Sequence, residues 1–144
     1  MHKISIINGP NLNLLGNREP EIYGAVSFET YFAHLQEHYP SVEFFYFQSN
    51  IEGEIINHLQ ACNQNVDGIL LNAAAYTHTS IAIADTIKAI NTPVIEIHIS
   101  NVLAREDFRK TSYIASACIG SISGLGLEGY ALGVSYLLTK TKAS

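Results

Sequence analysis

Charge is scarce in this sequence. Only 15% of the 144 residues are Asp, Glu, Lys or Arg and 47% are hydrophobic, whereas soluble domains typically carry roughly 25% charged residues. This shortage predicts that part of the surface faces other subunits. The eight Lys and Arg are spread without a basic run and the net charge is −5. Because a phosphate backbone is bound by a basic patch, nucleic acid is not an expected partner.

Cysteine and long apolar runs are scarce as well. Cys62 and Cys118 form no C-x-x-C pair, which excludes a disulfide framework and a Cys-rich zinc site. The six histidines show no H-E-x-x-H or related spacing, so no metal is expected. No apolar run reaches the ~20 residues that span a bilayer, and the first residues do not form a signal peptide. We therefore expect one cytoplasmic domain over residues 1–144, with no membrane partner.

Short apolar segments alternate with stretches of helical period. Strands are predicted over residues 3–8, 42–47, 66–71, 93–99 and 117–122, and helices from Ser27 to Pro40 and over residues 51–63, 80–90 and 129–139. Residues 9–25 are predicted to form a polar loop, and residues 105–110 a loop or short helix. This alternation predicts an α/β fold, a flavodoxin-like doubly wound five-stranded parallel sheet of order 2-1-3-4-5 with helices on both faces.

In such a sheet the ligand lies beyond the carboxyl ends of the strands. Three segments at these ends contain polar or ionisable side chains that could act in catalysis or binding. The first loop is long for a strand-to-helix connection and holds Arg18 and Tyr23. It is either a surface excursion or a lid over a site. Asn72 and His78 follow the third strand, although a single loop histidine is often only solvated.

The fourth strand is the most informative. Glu96, His98 and Ser100 share one face by the period of two, whereas an inner parallel strand should be almost wholly apolar. One interpretation is that the strand lies at the edge of the sheet, with one face exposed to solvent. The other is that the carboxylate and the imidazole are buried as a pair with a functional role, because burying them unpaired is costly. The strand's place in the order favours the functional interpretation.

Several apparent motifs carry no matching chemistry. Residues 124–129 read G-L-G-L-E-G, but no strand with an acidic residue follows them, as a dinucleotide site requires. We interpret these glycines as turn and helix-packing residues. No phosphate-binding P-loop is present, and Ile122 stands where a G-x-S-x-G nucleophile would be. The first strand ends in Asn8 without an acidic cluster, which disfavours a phospho-receiver domain.

Four linked motifs resemble those of the type II 3-dehydroquinate dehydratases over essentially the whole chain. They are G-P-N-L-N-L-L-G with R-E-P and Y-G over residues 9–24, Asn72 with A-Y-T-H-T-S over 75–80, E-I-H-I-S-N over 96–101, and Phe108-Arg109. The family commonly has Pro and then a small residue after the Asn of the second motif, where this chain has Ala73 and Ala74. That departure is expected to loosen the turn without removing a chemical group.

The resemblance implies a lyase of the shikimate pathway that needs no metal, cofactor or imine and eliminates water in the anti sense through an enolate. It implies Tyr23 as the general base with Arg18 as its electrostatic partner, and His98 as the general acid oriented by Glu96. It also implies that Asn11 helps to hold the water or donor that stabilises the enolate oxygen. Further implied contacts are carboxylate binding by Asn72 and the backbone of Ile99 and Ser100, and ring-hydroxyl contacts from His78 and Arg109. The family's assembly is a dodecamer, a tetramer of trimers, in which Asp85 would enter a neighbouring subunit's site.

Elementary electrostatics agrees with the implied base. A tyrosine with the ordinary pKa of ~10 is a poor base at neutral pH, but a unit positive charge about 4 Å away stabilises its phenolate by about 4 kcal/mol at an effective dielectric of ~20.

Two rival hypotheses stay open from the residues alone, a non-catalytic module that binds a small polar anion and a flavin carrier. The first loop lacks the Ser/Thr-rich phosphate cradle that a flavin carrier would need.

Overall fold

The computed structural model describes residues 1–17 and 19–140, and its centre is one parallel sheet. The strands run in the spatial order β2-β1-β3-β4-β5, which confirms the predicted topology. β3 and β4 are buried throughout, whereas β5 lies at the edge and is mostly exposed. The strand bounds are β1 His2–Asn8, β2 Val42–Gln48, β3 Gly68–Asn72, β4 Val94–His98 and β5 Gly120–Ser123.

Helices cover both faces of the sheet. α2 and α5 share one core with even-numbered residues of β1 and β3, and α3 and α4 share the other core with odd-numbered residues, as the period of two requires. Apolar side chains at helical spacing, such as Phe28, Tyr31 and Leu35, form the buried stripe of α2. The helix bounds are α1 Pro20–Tyr23, α2 Phe28–His38, α3 Glu52–Cys62, α4 Ile81–Ala89 and α5 Glu128–Lys140.

Two predicted helix starts are confirmed by their caps. The hydroxyl of Ser27 accepts a hydrogen bond from the Thr30 amide at 3.2 Å, and the hydroxyl of Ser80 accepts one from the Ile83 amide at 2.9 Å. Each cap satisfies a backbone donor that the first helical turn leaves free. These contacts fix where α2 and α4 begin.

Some predicted boundaries were wrong. The predicted polar loop over residues 9–25 contains the helix α1 and a 3-10 turn, Leu12–Leu14, because Pro20 favours a helix start at its own position. The third strand begins at Gly68, two residues later than predicted. The fifth strand begins at Gly120 rather than at residue 117, because residues Ala115–Ala117 form a 3-10 turn. The predicted loop or short helix at residues 105–110 is confirmed by the 3-10 turn Asp107–Lys110.

Two close backbone contacts shape the carboxyl ends of the strands. The amide of Gly9 donates to the carbonyl of Asn72 at 2.7 Å, and a Cβ at position 9 would lie 2.6 Å from the Ala73 oxygen. Only glycine therefore allows β1 and β3 to end side by side here. In the G-L-G-L-E-G segment, the amides of Gly124 and Gly126 donate to the carbonyls of His98 and Ile99 at 3.2 and 3.0 Å.

These contacts confirm the interpretation of residues 124–129 as a turn that packs against the end of β4. Gly124 and Gly126 have φ values of +87° and +65°, which glycine adopts without steric cost. Across residues 1–17 and 19–140, no helix has the length and apolar character needed to cross a membrane.

Candidate active site

A cleft opens beyond the carboxyl ends of β1, β3 and β4, where the fold predicts a ligand. Its polar lining comes from four separate segments, which the sheet topology brings together: Asn11, Tyr23, Asn72, His78, His98, Ser100, Arg105 and Arg109.

Glu96 and His98 form a buried pair at the end of β4. His98 Nε2 lies 2.7 Å from Glu96 Oε2, and the side chains are 10% and 3% exposed. β4 is an inner strand between β3 and β5, so the edge-strand alternative is wrong. Because Nε2 contacts Glu96, Nδ1 is the ring nitrogen left for a ligand.

The carboxylate of Glu96 is held in its charged form. Burial alone would raise the pKa of Glu96, but hydrogen bonds from His98, Ser121 and Ser112 outweigh it and place that pKa below its ordinary value. The nearby thiol of Cys118 remains neutral, because burial and then the charge of Glu96 raise its pKa to about 12. The pair is therefore a fixed anion beside an imidazole.

Tyr23 lies at the end of α1 and points its hydroxyl at a guanidinium. Arg105 Nη1 donates to the Tyr23 oxygen at 2.8 Å and to Ser100 Oγ at 3.2 Å. The Arg105 side chain is only 14% exposed. This contact joins the first loop to the segment that follows β4, and it gives the phenol a cationic neighbour that cannot lose its proton.

A chain of buried hydrogen bonds fixes Asn72. The hydroxyl of Tyr130 donates to Asn8 Oδ1 at 2.7 Å and accepts from Asn72 Nδ2 at 3.1 Å. Burial raises the pKa of the Tyr130 phenol well above its ordinary value, so the hydroxyl stays a donor. Asn72 Oδ1 accepts from the Ala74 amide at 3.1 Å. One N–H of the Asn72 amide group is left for a ligand.

Asn11 and His78 are each held by a backbone contact. Asn11 has a φ of +69°, and its backbone N–H donates to the side-chain oxygen Oδ1 of Asn50 at 3.0 Å. His78 Nδ1 lies 2.7 Å from the Thr111 carbonyl. Since a carbonyl only accepts, Nδ1 carries the proton and Nε2 is the other nitrogen available to a ligand. The rings of His78 and His98 are 6.4 Å apart.

Comparison with known proteins shows the family to which the chain belongs. The family model described as dehydroquinase class II matches residues 2–138. The chain belongs to the class II dehydroquinase family. A 3-dehydroquinate dehydratase of Fusobacterium nucleatum is 53% identical over 142 residues, covering 94% of this chain and 96% of that protein. The Clostridium acetobutylicum 3-dehydroquinate dehydratase is 52% identical over 137 residues, covering 94% of this chain and 95% of that protein.

Solved structures agree with the family assignment. The crystal structure of a type II dehydroquinase from Butyrivibrio crossotus superposes with a TM-score of 0.92 at 44% identity, covering 95% of this chain and 97% of that chain. The type II dehydroquinase from Propionibacterium acnes also gives a TM-score of 0.92, at 38% identity, with 96% and 97% covered. The family and the fold indicated by the motifs are thereby confirmed.

The cleft collects most of the residues predicted from the family motifs. Ile99 and Ser100 lie at its β4 side, and Arg109 lines it while donating from Nε to Glu106 at 3.0 Å. Asp85 does not line the cleft and is exposed on α4, so its predicted role depends on a neighbouring subunit. Arg18 lies outside the described residues.

The departure at Ala73 and Ala74 leaves the turn after Asn72 closed. Ala74 adopts a φ of +53°, a left-handed conformation that costs a non-glycine residue roughly 1–2 kcal/mol. Its amide nevertheless reaches Asn72 Oδ1. The turn is thus closed by this hydrogen bond, with backbone strain at Ala74.

Sequence reasoning missed Arg105, Ser112, Ser121 and Tyr130. A usable signal existed for Arg105, because the chain has only three arginines and the other two already belonged to family motifs. Ser112, Ser121 and Tyr130 are common residue types, and they lie in a turn, an edge strand and a helix, respectively. Nothing in their sequence spacing indicates a functional role. Within residues 1–17 and 19–140, no three His, Cys, Asp or Glu side chains are grouped so as to hold a metal.

Proposed function

We propose that this protein dehydrates 3-dehydroquinate to 3-dehydroshikimate, as a cytoplasmic lyase of the shikimate pathway, by anti elimination through an enolate. One observation carries the proposal. The Tyr23–Arg105 pair and the His98–Glu96 pair meet at the same cleft, so a base and an acid can act on one small ring. Family membership and the names of the relatives support the same substrate.

The base is Tyr23 in its phenolate form. Arg105 donates to the phenolic oxygen at 2.8 Å, and this hydrogen bond strengthens when the oxygen is negative. Arg18 is proposed to act as a second cation when the loop closes over the substrate.

The acid is His98 in its imidazolium form. The phenolate takes the proton next to the ketone, and the C–H electron pair forms the enolate. The enolate electrons then form the carbon–carbon double bond as the β-hydroxyl departs, and His98 gives that hydroxyl a proton to make water. Glu96 stabilises the imidazolium from the opposite side, at 2.7 Å. Neither a metal ion nor an imine takes part in these steps.

The remaining cleft residues hold the substrate. The free N–H of Asn72 and the backbone of Ile99 and Ser100 are proposed to bind its carboxylate, and Asn11 to hold the donor or water facing the enolate oxygen. His78 and Arg109 are proposed to contact the ring hydroxyls. Since the net charge of the chain is −5, the anion is attracted by these local donors and not by the overall field.

We also propose a dodecamer, a tetramer of trimers, with Asp85 reaching into a neighbouring subunit's site. Two exposed apolar residues, Ile81 in the first turn of α4 at 63% and Ile119 just before β5 at 53%, support a buried interface in the assembly. The low fraction of charged residues points the same way.

The test is a direct assay. Adding 3-dehydroquinate should produce the ultraviolet absorbance of a conjugated enone, and borohydride should not reduce the rate because no imine forms. Binding of the substrate without any absorbance would favour the non-catalytic module instead. Loss of activity with borohydride in the presence of substrate would contradict the imine-free mechanism.

A further inference from the structure

We propose that Ser121, together with Ser112, is a positioning residue that keeps the proton shared by Glu96 and His98 on the histidine. The inference rests on the proposed function in one respect, which is that the proton on His98 is the one given to the departing hydroxyl. Neither serine lines the cleft, so both act through Glu96.

The sheet register brings Ser121 to the carboxylate. Glu96 on β4 pairs directly with Ser121 on β5, and Ser121 Oγ lies 2.5 Å from Glu96 Oε1. On the other oxygen, Oε2, Ser112 Oγ lies 2.7 Å away and His98 Nε2 also 2.7 Å away. Both carboxylate oxygens therefore face hydrogen-bond donors, in a side chain that is 3% exposed.

The two serines decide between two forms of the pair. When Glu96 and His98 share a single proton between them, the pair is either carboxylate with imidazolium or carboxylic acid with neutral imidazole. Only the carboxylate accepts from all three donors at once, and hydrogen bonds to a charged acceptor are the stronger ones. The hydroxyls of Ser121 and Ser112 thus favour the form in which the proton is on His98.

The surroundings of His98 make this support necessary. Arg105 and Arg109 line the same cleft, and the carboxylate of Glu106 faces their Nε atoms at 3.8 and 3.0 Å. The ring of His78 lies 6.4 Å from that of His98 and offers no negative charge. The thiol of Cys118 is neutral, since burial and the charge of Glu96 raise its pKa to about 12. The carboxylate of Glu96 therefore has to remain charged.

Ser121 gives the cleaner test of the two serines. Ser112 Oγ also accepts from the Ala115 amide at 3.1 Å, so replacing Ser112 would disturb the local turn. Ser121→Val and Ser121→Thr are a matched pair, because threonine and valine have the same shape and differ by a hydroxyl against a methyl. β-branched residues also suit an edge strand. Ser121→Ala serves as a second variant without the hydroxyl, should valine not be accommodated.

The experiment measures the ligand-free protein by NMR, with labelled Glu and His. We expect the titration midpoint of the Glu96 carboxyl to rise by about one pH unit in Ser121→Val relative to Ser121→Thr, the shift for loss of one hydrogen bond to a charged group. The His98 ¹⁵N shifts, which sense the neighbouring carboxylate, should show the same displaced midpoint. Ser116→Ala, on the preceding turn, should change neither signal.

Kinetics supplies the second readout. We expect the acid limb of the kcat–pH profile to move up by about one pH unit in Ser121→Val, following the Glu96 titration, with KM within twofold, and to return in Ser121→Thr. Identical Glu96 titrations in the Val, Ala and Thr variants would overturn the proposal. Absence of dehydration by the wild type would instead refute the proposed function, and the NMR titration would still decide the role of Ser121.

Discussion

Arg105 Nη1 lies 2.8 Å from the phenolic oxygen of Tyr23, across 82 positions of the chain. The contact closes the first loop onto the segment after β4 and sets a permanent cation against the proposed base. It also gives Arg105 a second acceptor, Ser100 Oγ at 3.2 Å, so the guanidinium is held at two points.

Replacing Arg105 tests this contact. We expect Arg105→Gln to lower kcat by on the order of 10²–10³, the usual effect of removing one electrostatic stabiliser from an active site. Arg105→Lys should recover part of the loss, because it keeps the charge but loses the planar fork. Steady-state kinetics on the enone absorbance measures both variants. Lys110→Gln, a half-exposed cation nearby, is the control, and an Arg105→Gln enzyme within twofold of wild type would refute the role.

Tyr130→Phe tests the buried chain beneath the cleft. The change removes only the hydroxyl that joins Asn8 to Asn72, leaving buried polar atoms unpaired at a cost of about 1–3 kcal/mol in the free energy of unfolding. We expect a weaker substrate affinity as well, since Asn72 is no longer held. Denaturant unfolding and KM measure the two effects. Tyr136→Phe, on the same helix but 46% exposed, should leave both unchanged.

Gly9→Ala tests the close approach of β1 and β3. The added Cβ would lie 2.6 Å from the Ala73 carbonyl oxygen, so the backbone has to move and the Gly9–Asn72 hydrogen bond is strained. We expect a lower Tm and lower kcat/KM. Gly53→Ala is the matched control, because a Cβ there meets nothing within 4 Å and alanine in a helix is favoured over glycine by up to about 1 kcal/mol. A Gly9→Ala protein as stable as wild type would contradict the packing described.

Glu96 should contribute a pH-dependent part of the stability. Its pKa in the folded protein is below the ordinary value of 4.5, so the contribution is complete above that value and is lost as the pH falls through the folded pKa. The difference in unfolding free energy between wild type and Glu96→Gln should therefore shrink below about pH 4.5. A difference that grows on acidification would show the opposite shift.

The fold could be predicted because its signals are local. Alternating apolar segments predict the sheet order, and Ser27 and Ser80 mark two helix starts. Glu96 and His98 stood out because polar residues in an inner strand need a reason. These signals depend on neighbours in the sequence, which a single chain displays.

The contacts that sequence reasoning missed depend on three-dimensional closure. Arg105 meets Tyr23 only because the segment after β4 folds back over the first loop. Ser121 meets Glu96 only in one register of β4 and β5, and a slip of one residue would turn Ser121 to the other face. No register between the fourth and fifth strands was predicted from the sequence, and the predicted start of the fifth strand was wrong by three residues.

Hydrogen exchange into the substrate tests the division of roles between Tyr23 and His98 most directly. In deuterated water, His98→Asn should still exchange the proton next to the ketone while dehydration stalls, and Tyr23→Phe should show neither exchange nor dehydration. Mass spectrometry of recovered 3-dehydroquinate measures the label. Deuterium in the substrate recovered from Tyr23→Phe, or none from His98→Asn, would contradict the assignment of base and acid.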